Sequence, residues 1–554
     1  MTLDRTTLRW NGWGFAGHQD ALAGNERLWR FLADALGVPD LPTTPAVALG
    51  DCRIPSSPLS FGDIGPFQAA GCEVASDAAD RAFHARGDSY RDLLDLRAGR
   101  LDPLPDAIVY PRSAEACRAA VAAAHEGGIA VVPFGGGTSV VGGVAPLAGR
   151  HRAVVAIDTT RLDQVLAIDR MSMTATAEAG IHGPALEQRL NAEGVTLGHY
   201  PQSFEFSTLG GWIAARGAGQ QSNRYGKAEH WLVSARLATP GGLWSTEGYP
   251  ASAAGPRLTD LVAGSEGTLG LITDATVALH AAPEARDYRA FLFHDFAAGR
   301  EAIREIVQAD IPACSLRLSD EDETHFYGVL GRLQREPKFK DRLQDFYLKR
   351  RGFDGRRCAL IAGAEGDRAS VRFAHAHVAA IARRHGALAA GSGPAESWYK
   401  GRFHGPYLRD PMLDRGLGVD TLETATHWSN VAALHGAVRR ALLDAMQAHS
   451  NGKGICLAHV SHSYRDGASL YFTYVWPRAT GGLDAEIAQW TAIKKAASDA
   501  IAAYHGTISH HHGAGTDHAA WLPAEKGATG MNVLRALKSA LDPTGIMNPG
   551  KMGL

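Results

Sequence analysis

The sequence predicts an α+β protein built from more than one domain, and three observations support this. A length of 554 residues exceeds what a single hydrophobic core usually serves. From about residue 105, short β-branched runs alternate with amphipathic, Ala-rich segments, a pattern typical of strands and helices. Near Arg286 the pattern changes and a second group of strands and helices begins.

The elements of the first group follow one another closely. "AIVYP" predicts a short strand, and Ser113 then caps an Ala-rich helix that stops at a pair of glycines. "IAVVPF" is an apolar strand that leads into a glycine-rich loop. The strands "AVVAID", "QVLAID" and "TATAEAG", the helix "PALEQRLNAEG" and the alternating strand "GLITDATVALH" complete this group.

The second group contains the strands "YRAFLF", "CALIAGAEG" and "SLYFTYV" with helical segments between them, and the chain ends in helix and loop. These patterns predict four regions. They are an N-terminal helical and irregular region (1–100), a first α+β domain (101–285), a second α+β domain (286–500) and a C-terminal segment that returns to the first domain (501–554).

The composition excludes several classes of protein. A formal net charge of -2 gives no indication of nucleic-acid binding. The six cysteines are widely spread without a C-x-x-C pair, which argues against a disulfide scaffold, a zinc ribbon and an iron–sulfur cluster. We find no secretory signal and no uncharged apolar stretch long enough to span a membrane. We therefore expect a cytoplasmic protein.

Three loops combine glycines with hydroxyl side chains. The first loop, Pro133–Gly143, follows a strand directly and reads "PFGGGTSVVGG"; the second loop is Pro201–Gly226 and the third loop is Gly264–Gly270. Glycines let backbone N–H groups approach an anion, although a bare triple glycine is equally typical of a tight turn. No Lys-Ser/Thr follows, so the first loop is not a P-loop. Three such loops in one domain predict a long, phosphate-bearing ligand.

The histidine loop, Ser509–Gly515, reads "SHHHGAG". Because 42 residues follow His512 (554 − 512), it is not a terminal tag. Three adjacent imidazoles are compatible with a metal site, an acid/base cluster or a polar loop.

Taken together, these motifs resemble the vanillyl-alcohol oxidase-type (PCMH) FAD-binding family, and within it the alkyldihydroxyacetonephosphate synthase (alkylglycerone-phosphate synthase) branch. The resemblance extends over nearly the whole chain and rests on the ordered set "RWNGWG", "PFGGGTSV", "GHYPQSFEFSTLGGW", "GSEGTLG", "RLSD", "PYLRD", "ETATHW", "SLYFTY", "ISHHHGAG" and "LDPTGIMNPGK". It implies an FAD-binding domain (101–285) with an α+β cap domain (286–500), non-covalent FAD and a homodimer.

The resemblance also implies roles for particular residues. The flavin-contacting residues correspond to Pro133, Gly135, Gly136, Gly137, Thr138, Ser139, Ser203, Ser207, Thr208, Gly210, Glu266 and Thr268. The catalytic residues correspond to Tyr471, His511, His512 and Arg409, and the substrate-binding residues to Arg409, Thr421 and Arg317. From the residues alone, Tyr471 could equally be a core residue, and Arg409 could form an ion pair with Asp410 or Asp414.

The implied reaction exchanges the acyl chain of acyl-dihydroxyacetone phosphate for a fatty alcohol, through a flavin N5 adduct, and gives an ether-lipid precursor without net redox change. The substrate would be lipid-like, so peripheral membrane contact is expected. Two departures concern the substrate phosphate. Ala251 stands where an arginine is expected, and Thr516, Asp517 and His518 replace a basic cluster. No peroxisomal signal is evident at either end.

Two alternatives follow from the same motifs. The first is an FAD-dependent oxidation of a D-2-hydroxy acid; many enzymes of that kind have a metal site, for which His459, His462 and His511 have suitable ligand types. Tyr471 and His511 stand where two usual ligands of that site are expected, so we predict no metal. A flavin-binding protein without catalysis is the second alternative, and the retained Tyr471, Arg409 and histidine loop argue against it.

Overall fold

A computed structural model of the protein describes residues 3–18, 24–334, 336, 339–353 and 355–554. A few positions of the predicted N-terminal region, residues 1–2 and 19–23, lie outside the described residues. The described chain is a mixture of helices and strands, as the α+β prediction requires.

The described residues form eighteen strands in four sheets. The strands are β1 (Glu73–Ala75), β2 (Ala107–Tyr110), β3 (Ile129–Phe134), β4 (Ala153–Asp158), β5 (Val165–Asp169), β6 (Thr174–Glu178), β7 (Val195–Thr196), β8 (Leu232–Thr239), β9 (Gly242–Ser245), β10 (Leu271–Ala278), β11 (His280–Ala281), β12 (Ala285–Phe293), β13 (Ser315–Ser319), β14 (Cys358–Gly366), β15 (Leu388–Gly391), β16 (Leu417–His427), β17 (Ile455–Ser463) and β18 (Gly467–Pro477).

Helices cover these sheets. They are α1 (Glu26–Leu36), α2 (Phe61–Ala69), α3 (Ala78–Phe83), α4 (Tyr90–Arg97), α5 (Ala114–Gly127), α6 (Gly183–Ala192), α7 (Leu209–Ala214), α8 (Ser222–Tyr225), α9 (Ala228–Trp231), α10 (Thr259–Val262), α11 (Phe296–Gln308), α12 (Glu321–Leu333), α13 (Phe339–Arg350), α14 (Arg368–Arg384), α15 (Gly393–Gly401), α16 (Arg409–Asp414), α17 (Val431–His449), α18 (Leu483–Ala503) and α19 (Leu522–Leu541). Single 3-10 turns occur at Arg5–Thr7, Leu49–Asp51, Gly405–Leu408 and Ala519–Trp521.

Two sheets make up the first half of the molecule. A four-stranded sheet has the order β1-β2-β4-β3, in which β2, β4 and β3 are parallel, and a five-stranded antiparallel sheet has the order β5-β6-β10-β8-β9. Helix α5 lies between them and contacts β3, β8 and β10. It begins at Ser113, whose side chain accepts a hydrogen bond from the N–H of Ala116, and ends at Gly128 in the left-handed conformation, as the sequence predicts.

The second half is a seven-stranded sheet in the order β15-β12-β14-β13-β17-β18-β16. All its strands come from residues 285–477, and α17 and α18 cover one face over the largest buried apolar cluster of the described residues. Near one edge of this sheet, β18 pairs with the edge strand β16 and with β17, so that Tyr471 lies opposite Glu423 on one side and His459 on the other. The exact domain boundaries given above stay predictions.

The cysteines and the helices of the described residues bear on two further expectations. The six cysteines are unpaired, as their spacing predicts. Among the described helices, none is long and apolar enough to cross a membrane.

Candidate active site

The first loop begins where β3 ends, and its glycines are required by close backbone contact. A Cβ atom on Gly135 would lie 2.4 Å from the Thr208 hydroxyl oxygen, and one on Gly136 would lie 2.1 Å from the carbonyl oxygen of Phe206. Gly137 has a φ of +76°, which favours glycine. The triple glycine therefore lets the first and second loops touch through their backbones.

Several polar groups beside this contact have no protein partner. Within the described chain, no group accepts a hydrogen bond from the backbone N–H of Gly136, Gly137, Thr138 or Ser139. The hydroxyl of Thr208 is buried and also without a partner. Because buried polar groups are almost always hydrogen-bonded, and a run of adjacent N–H groups suits an anion, these residues fit the phosphates of a dinucleotide.

A buried carboxylate braces this loop from behind, and the sequence prediction did not identify it. Asp158, at the end of β4, accepts hydrogen bonds from Arg5 Nε and His84 Nε2, each at 2.9 Å. The same Arg5 side chain donates to the carbonyl of Gly135 and lies over the ring of Phe134. Burial acts to raise the pKa of Asp158, but the Arg5 guanidinium and the hydrogen bond to His84 hold it below its usual range. The N-terminal segment thus fixes the first loop.

Other residues predicted to contact a flavin have structural partners. The Ser207 hydroxyl donates to the carbonyl of Ser203 at 2.9 Å and accepts from Trp212 Nε1 at 2.7 Å. A Cβ on Gly210 would lie 2.8 Å from that of Ala179, so glycine is needed there for packing. Contact of Ser203, Ser207 and Gly210 with a flavin stays a prediction.

The third loop joins the first α+β domain to the histidine loop. The Glu266 carboxylate accepts hydrogen bonds from the backbone N–H of Ala514 at 2.6 Å and of Gly515 at 2.7 Å. Burial raises the pKa of Glu266 to about 7, while these two N–H groups act in the opposite direction. Thr268 donates its hydroxyl hydrogen to the carbonyl of Ser265 at 2.7 Å. Flavin contact at Glu266 and Thr268 also stays a prediction.

A second buried carboxylate, Glu423 on β16, organises the histidine loop. It accepts hydrogen bonds from the backbone N–H groups of His510, His511 and His512 and from the hydroxyl of Ser509. Burial alone would raise the pKa of Glu423, but the hydrogen bonds that it accepts from the histidine loop keep its pKa below the usual range. The carboxylate therefore stays charged and fixes the direction of three successive imidazoles.

Tyr471 lies among these imidazoles. Its ring is nearly parallel to that of His459, with 5.1 Å between centroids, and to that of His511 at 6.0 Å; it meets His512 edge-on at 5.5 Å. Burial raises the pKa of Tyr471 to about 12, and Thr421 acts against this through a hydrogen bond. Burial lowers the pKa values of His511 and His512. The structure therefore brings together a protonated phenol, two neutral imidazoles and the predicted substrate residue Thr421.

Arg317 is bound to protein groups. Its guanidinium donates to His459 Nε2 at 2.6 Å and to the Glu323 carboxylate at 2.9 Å, while His459 Nδ1 lies 3.0 Å from the same Glu323 oxygen. Because Arg317 can only donate, His459 Nε2 must accept and its proton must be on Nδ1. This assigns the tautomer of the ring beneath Tyr471; substrate contact by Arg317 stays a prediction.

Arg409 is joined to the first loop through Asp88. It donates to the carbonyl oxygen of Asp88 at 2.7 Å and lies 3.5 Å from the Asp88 carboxylate, and the Asp88 N–H donates to the carbonyl of Ser139. The alternative ion pairs with Asp410 and Asp414 do not form, because those carboxylates bind Arg9 and Arg97.

The two segments that lack the expected cations, at Ala251 and at Thr516–His518, lie in different surroundings. Ala251 lies on an exposed stretch with a φ of +52°. Thr516 and Asp517 instead donate their N–H groups to the carbonyl of Val141 in the first loop. The substituted segment after the histidine loop therefore packs against the predicted phosphate-binding loop.

The histidines that lie close enough together to share a metal ion differ from the set suggested by the sequence, which was His459, His462 and His511. The structure places side-chain nitrogens of His462, His510 and His511 within 4.8 Å of one another, whereas His459 is bound to Arg317 and Glu323. In this group His462 Nε2 contacts the carbonyl of Gly219 and His510 Nε2 contacts the Tyr464 hydroxyl. His462 Nδ1 also contacts the Ser461 hydroxyl at 3.1 Å, and His510 Nδ1 contacts His511 Nδ1 at 2.8 Å. Two of the three imidazoles thus have protein partners at both nitrogens, and the absence of metal stays a prediction.

Comparison with known proteins defines the class first. Residues 105–246 match the model of an FAD binding domain, and residues 282–552 match that of the C-terminal domain of FAD linked oxidases. The crystal structure of p-cresol methylhydroxylase is 15% identical and superposes with a TM-score of 0.67 over 91% of this chain and 99% of the other, which shows the shared fold. The predicted vanillyl-alcohol oxidase-type fold is confirmed, and the chain is an FAD-dependent enzyme of that fold.

Two relatives with higher sequence identity show to which branch of this family the chain belongs. Alkyldihydroxyacetonephosphate synthase of Dictyostelium discoideum is 36% identical over 87% of this chain and 78% of its own. A solved structure of an alkyldihydroxyacetonephosphate synthase is 32% identical, with a TM-score of 0.84 over 99% of both chains. The protein belongs to the alkyldihydroxyacetonephosphate synthase family, as the sequence motifs predict.

The contact between the first and second loops generates one prediction. Gly136→Ala would place a methyl group against the Phe206 carbonyl, 2.1 Å away, and force the loops apart. We expect the purified variant to lose most of its bound flavin, measured by absorbance per protein. Gly328→Ala, where a Cβ meets nothing within 4 Å, is the matched control and keeps its flavin. Full flavin content in Gly136→Ala would contradict this role of the loop.

The Glu423 carboxylate generates a second prediction. Glu423→Ala removes four accepted hydrogen bonds and leaves buried donors unsatisfied, which we expect to lower the free energy of unfolding by about 3 kcal/mol. Urea denaturation measures this, and the exposed Glu396→Ala should unfold like the parent protein. A stability change below about 0.5 kcal/mol for Glu423→Ala would show that the loop is held by other contacts.

Proposed function

We propose that this protein exchanges the acyl chain of acyl-dihydroxyacetone phosphate for a fatty alcohol and so forms an ether-lipid precursor. The observation that carries the proposal is the position of Tyr471 between His459 and the histidine loop, in a chain that aligns with alkyldihydroxyacetonephosphate synthases along its length. A protonated phenol beside neutral imidazoles suits proton transfer at a carbon next to a ketone.

FAD binds without a covalent link in this proposal. The free N–H groups of residues 136–139 and the unpartnered Thr208 hydroxyl would hold its phosphates. When bound, FAD supplies a ring nitrogen able to act as a nucleophile toward the carbon that carries the ester. The chain's own residues must then position the substrate and move its protons.

The proton movements can be assigned to groups present in the structure. A neutral imidazole of His511 or His512 takes the proton next to the ketone, and the Tyr471 hydroxyl donates a hydrogen bond to oxygen that becomes negative. The bond to the acyl oxygen breaks, and the fatty acid leaves as its carboxylate. The alcohol gives its hydroxyl proton to the other imidazole as the ether bond forms, and the first imidazole returns its proton to the carbon next to the ketone. One proton is released with the carboxylate, so no net oxidation occurs. Thr421, next to Tyr471, contacts the substrate.

Several finer properties belong to the same proposal. Arg409 binds the substrate phosphate, since a guanidinium presents paired donors to such an anion. Arg317 contributes through His459, to which it is bound. The protein acts as a cytoplasmic homodimer that contacts lipid peripherally without a spanning helix.

The function is tested by following the flavin absorbance anaerobically with candidate substrates. Acyl-dihydroxyacetone phosphate should perturb the spectrum without lasting reduction, and a fatty alcohol should restore it while fatty acid and ether lipid appear in equal amounts. Persistent bleaching by a D-2-hydroxy acid, with no ether product, would instead assign an oxidation and overturn the proposal.

The role of Tyr471 is tested by Tyr471→Phe. We expect flavin binding to persist and kcat to fall by about 100-fold or more, since a positioned acid contributes on that order. Because its raised pKa of about 12 keeps the hydroxyl protonated, the ratio of parent to variant rates should stay constant from about pH 6 to pH 9.

The exposed Tyr504→Phe is the control and should turn over like the parent protein. An unchanged rate in Tyr471→Phe rejects the assigned role. A rate ratio that falls tenfold per pH unit would show that the hydroxyl ionises within the range and that its surroundings differ from those described.

A further inference from the structure

Helix α13 exposes an unusual amount of apolar surface. Phe339 is 81% exposed, Leu343 60%, Phe346 63% and Tyr347 50%. Their spacing of four, seven and eight residues from Phe339 places all four on one face of the helix. Isolated apolar side chains are common on protein surfaces, but a contiguous group of large ones marks a site of interaction.

The opposite face of α13 is attached to the protein. Leu348 is buried and packs in a small cluster with Phe353 and Leu388. Asp345 binds both terminal nitrogens of Arg332 near the end of α12, at 2.6 and 3.0 Å. At about 100° per residue, Leu348 lies opposite the exposed apolar residues. The helix is therefore fixed by one face and presents the other to its surroundings.

Basic side chains accompany this exposed face. Residues 339–351 contain five Lys or Arg and two Asp, a net charge of +3 (5 − 2), in a chain whose net charge is -2. Arg342, Lys349, Arg350 and Arg351 are exposed. Apolar residues on one side of a helix, with cations at the border, are typical of helices that lie in the interface of an anionic bilayer.

We propose that the exposed face of α13, together with Arg351, docks the protein on an anionic lipid surface. Phe339, Leu343 and Phe346 enter the boundary between head groups and acyl chains, and the flanking cations bind lipid phosphates. A second copy of the chain is disfavoured as the occupant, because a two-fold contact would bring two faces of charge +3 together.

The position of α13 relates lipid docking to the active site. Helix α12, which precedes it, carries in its first turn the Glu323 that binds His459 beneath Tyr471. Its 13 residues span about 20 Å. Docking through α13 would thus place the bilayer one helix length from the Arg317–Glu323 pair. The relation between docking and the active site rests on the proposed function, whereas lipid binding by α13 does not.

The test is flotation of the purified full-length protein with vesicles. The parent protein should float with vesicles of phosphatidylcholine and phosphatidylglycerol, and much less with phosphatidylcholine alone or at high salt. Phe339→Ser/Leu343→Ser/Phe346→Ser should reduce binding by about tenfold or more. The matched control, Phe61→Ser/Met171→Ser/Val533→Ser, removes equally exposed apolar residues elsewhere and should bind like the parent.

A charge variant separates the two contributions. Lys349→Glu/Arg350→Glu should weaken binding to phosphatidylglycerol vesicles while retaining the apolar residues. Flavin absorbance and circular dichroism confirm that each variant is folded, and turnover of a substrate below its micelle concentration should be unchanged in all of them. Such turnover tests the proposed function separately from lipid docking.

Either of two flotation results would overturn the proposal: equal flotation of the parent and the triple α13 variant, or no flotation of the parent protein. An oligomer, seen by light scattering, that the triple α13 variant no longer forms would also overturn it, because this would assign the face to a second copy.

Discussion

The carboxylate of Glu423 is enclosed on β16 by one hydroxyl and three backbone N–H groups of the histidine loop. An isolated buried charge would be strongly disfavoured, so this carboxylate and the loop that satisfies it depend on each other. Its position on the strand beside β18 also sets the distance from the imidazoles to Tyr471. The position of the candidate base groups relative to Tyr471, the candidate acid, therefore depends on one buried interaction at the seven-stranded sheet of the cap domain.

The Glu266 carboxylate holds the C-terminal end of the histidine loop, as the Glu423 carboxylate holds its N-terminal end. Glu266 binds Ala514 and Gly515, and Asn548 donates to its carbonyl and to that of Gly143. The C-terminal segment is thus joined both to the cap sheet and to the glycine-rich loops. Two carboxylates from different domains hold a single loop between them, so the imidazoles are fixed relative to the predicted cofactor site as well as to Tyr471.

The sequence predicts the fold well because its local patterns are strong. Ser113, the glycines after α5 and the alternating strand that carries Tyr471 each specify their element through nearest neighbours. The site was predictable only where a motif marked it. Glu423 lies within the quoted "ETATHW", but nothing in that motif reveals that it would bind residues 87 to 89 positions away. Arg5, His84 and Asp158 meet across 153 residues, and no local pattern marks them.

The charges around the site bear on the missing cations noted at Ala251 and Thr516–His518. Lys494 contacts Asp420 at 3.4 Å, Arg317 is bound by Glu323, and Lys227 lies 3.5 Å from Glu229, so each has a carboxylate within reach. Arg409 also has a carboxyl group within reach, that of Asp88 at 3.5 Å, but it differs in two respects. Its Nε is buried without a partner, and burial raises the pKa of Asp88 to about 7.

A carboxyl with that pKa is partly neutral near pH 7, which leaves the Arg409 charge incompletely balanced. A phosphate that binds Arg409 therefore competes with a weaker ion pair than one that binds Lys494 or Arg317. This weaker ion pair supports the proposal that Arg409, beside the first loop, binds the substrate phosphate.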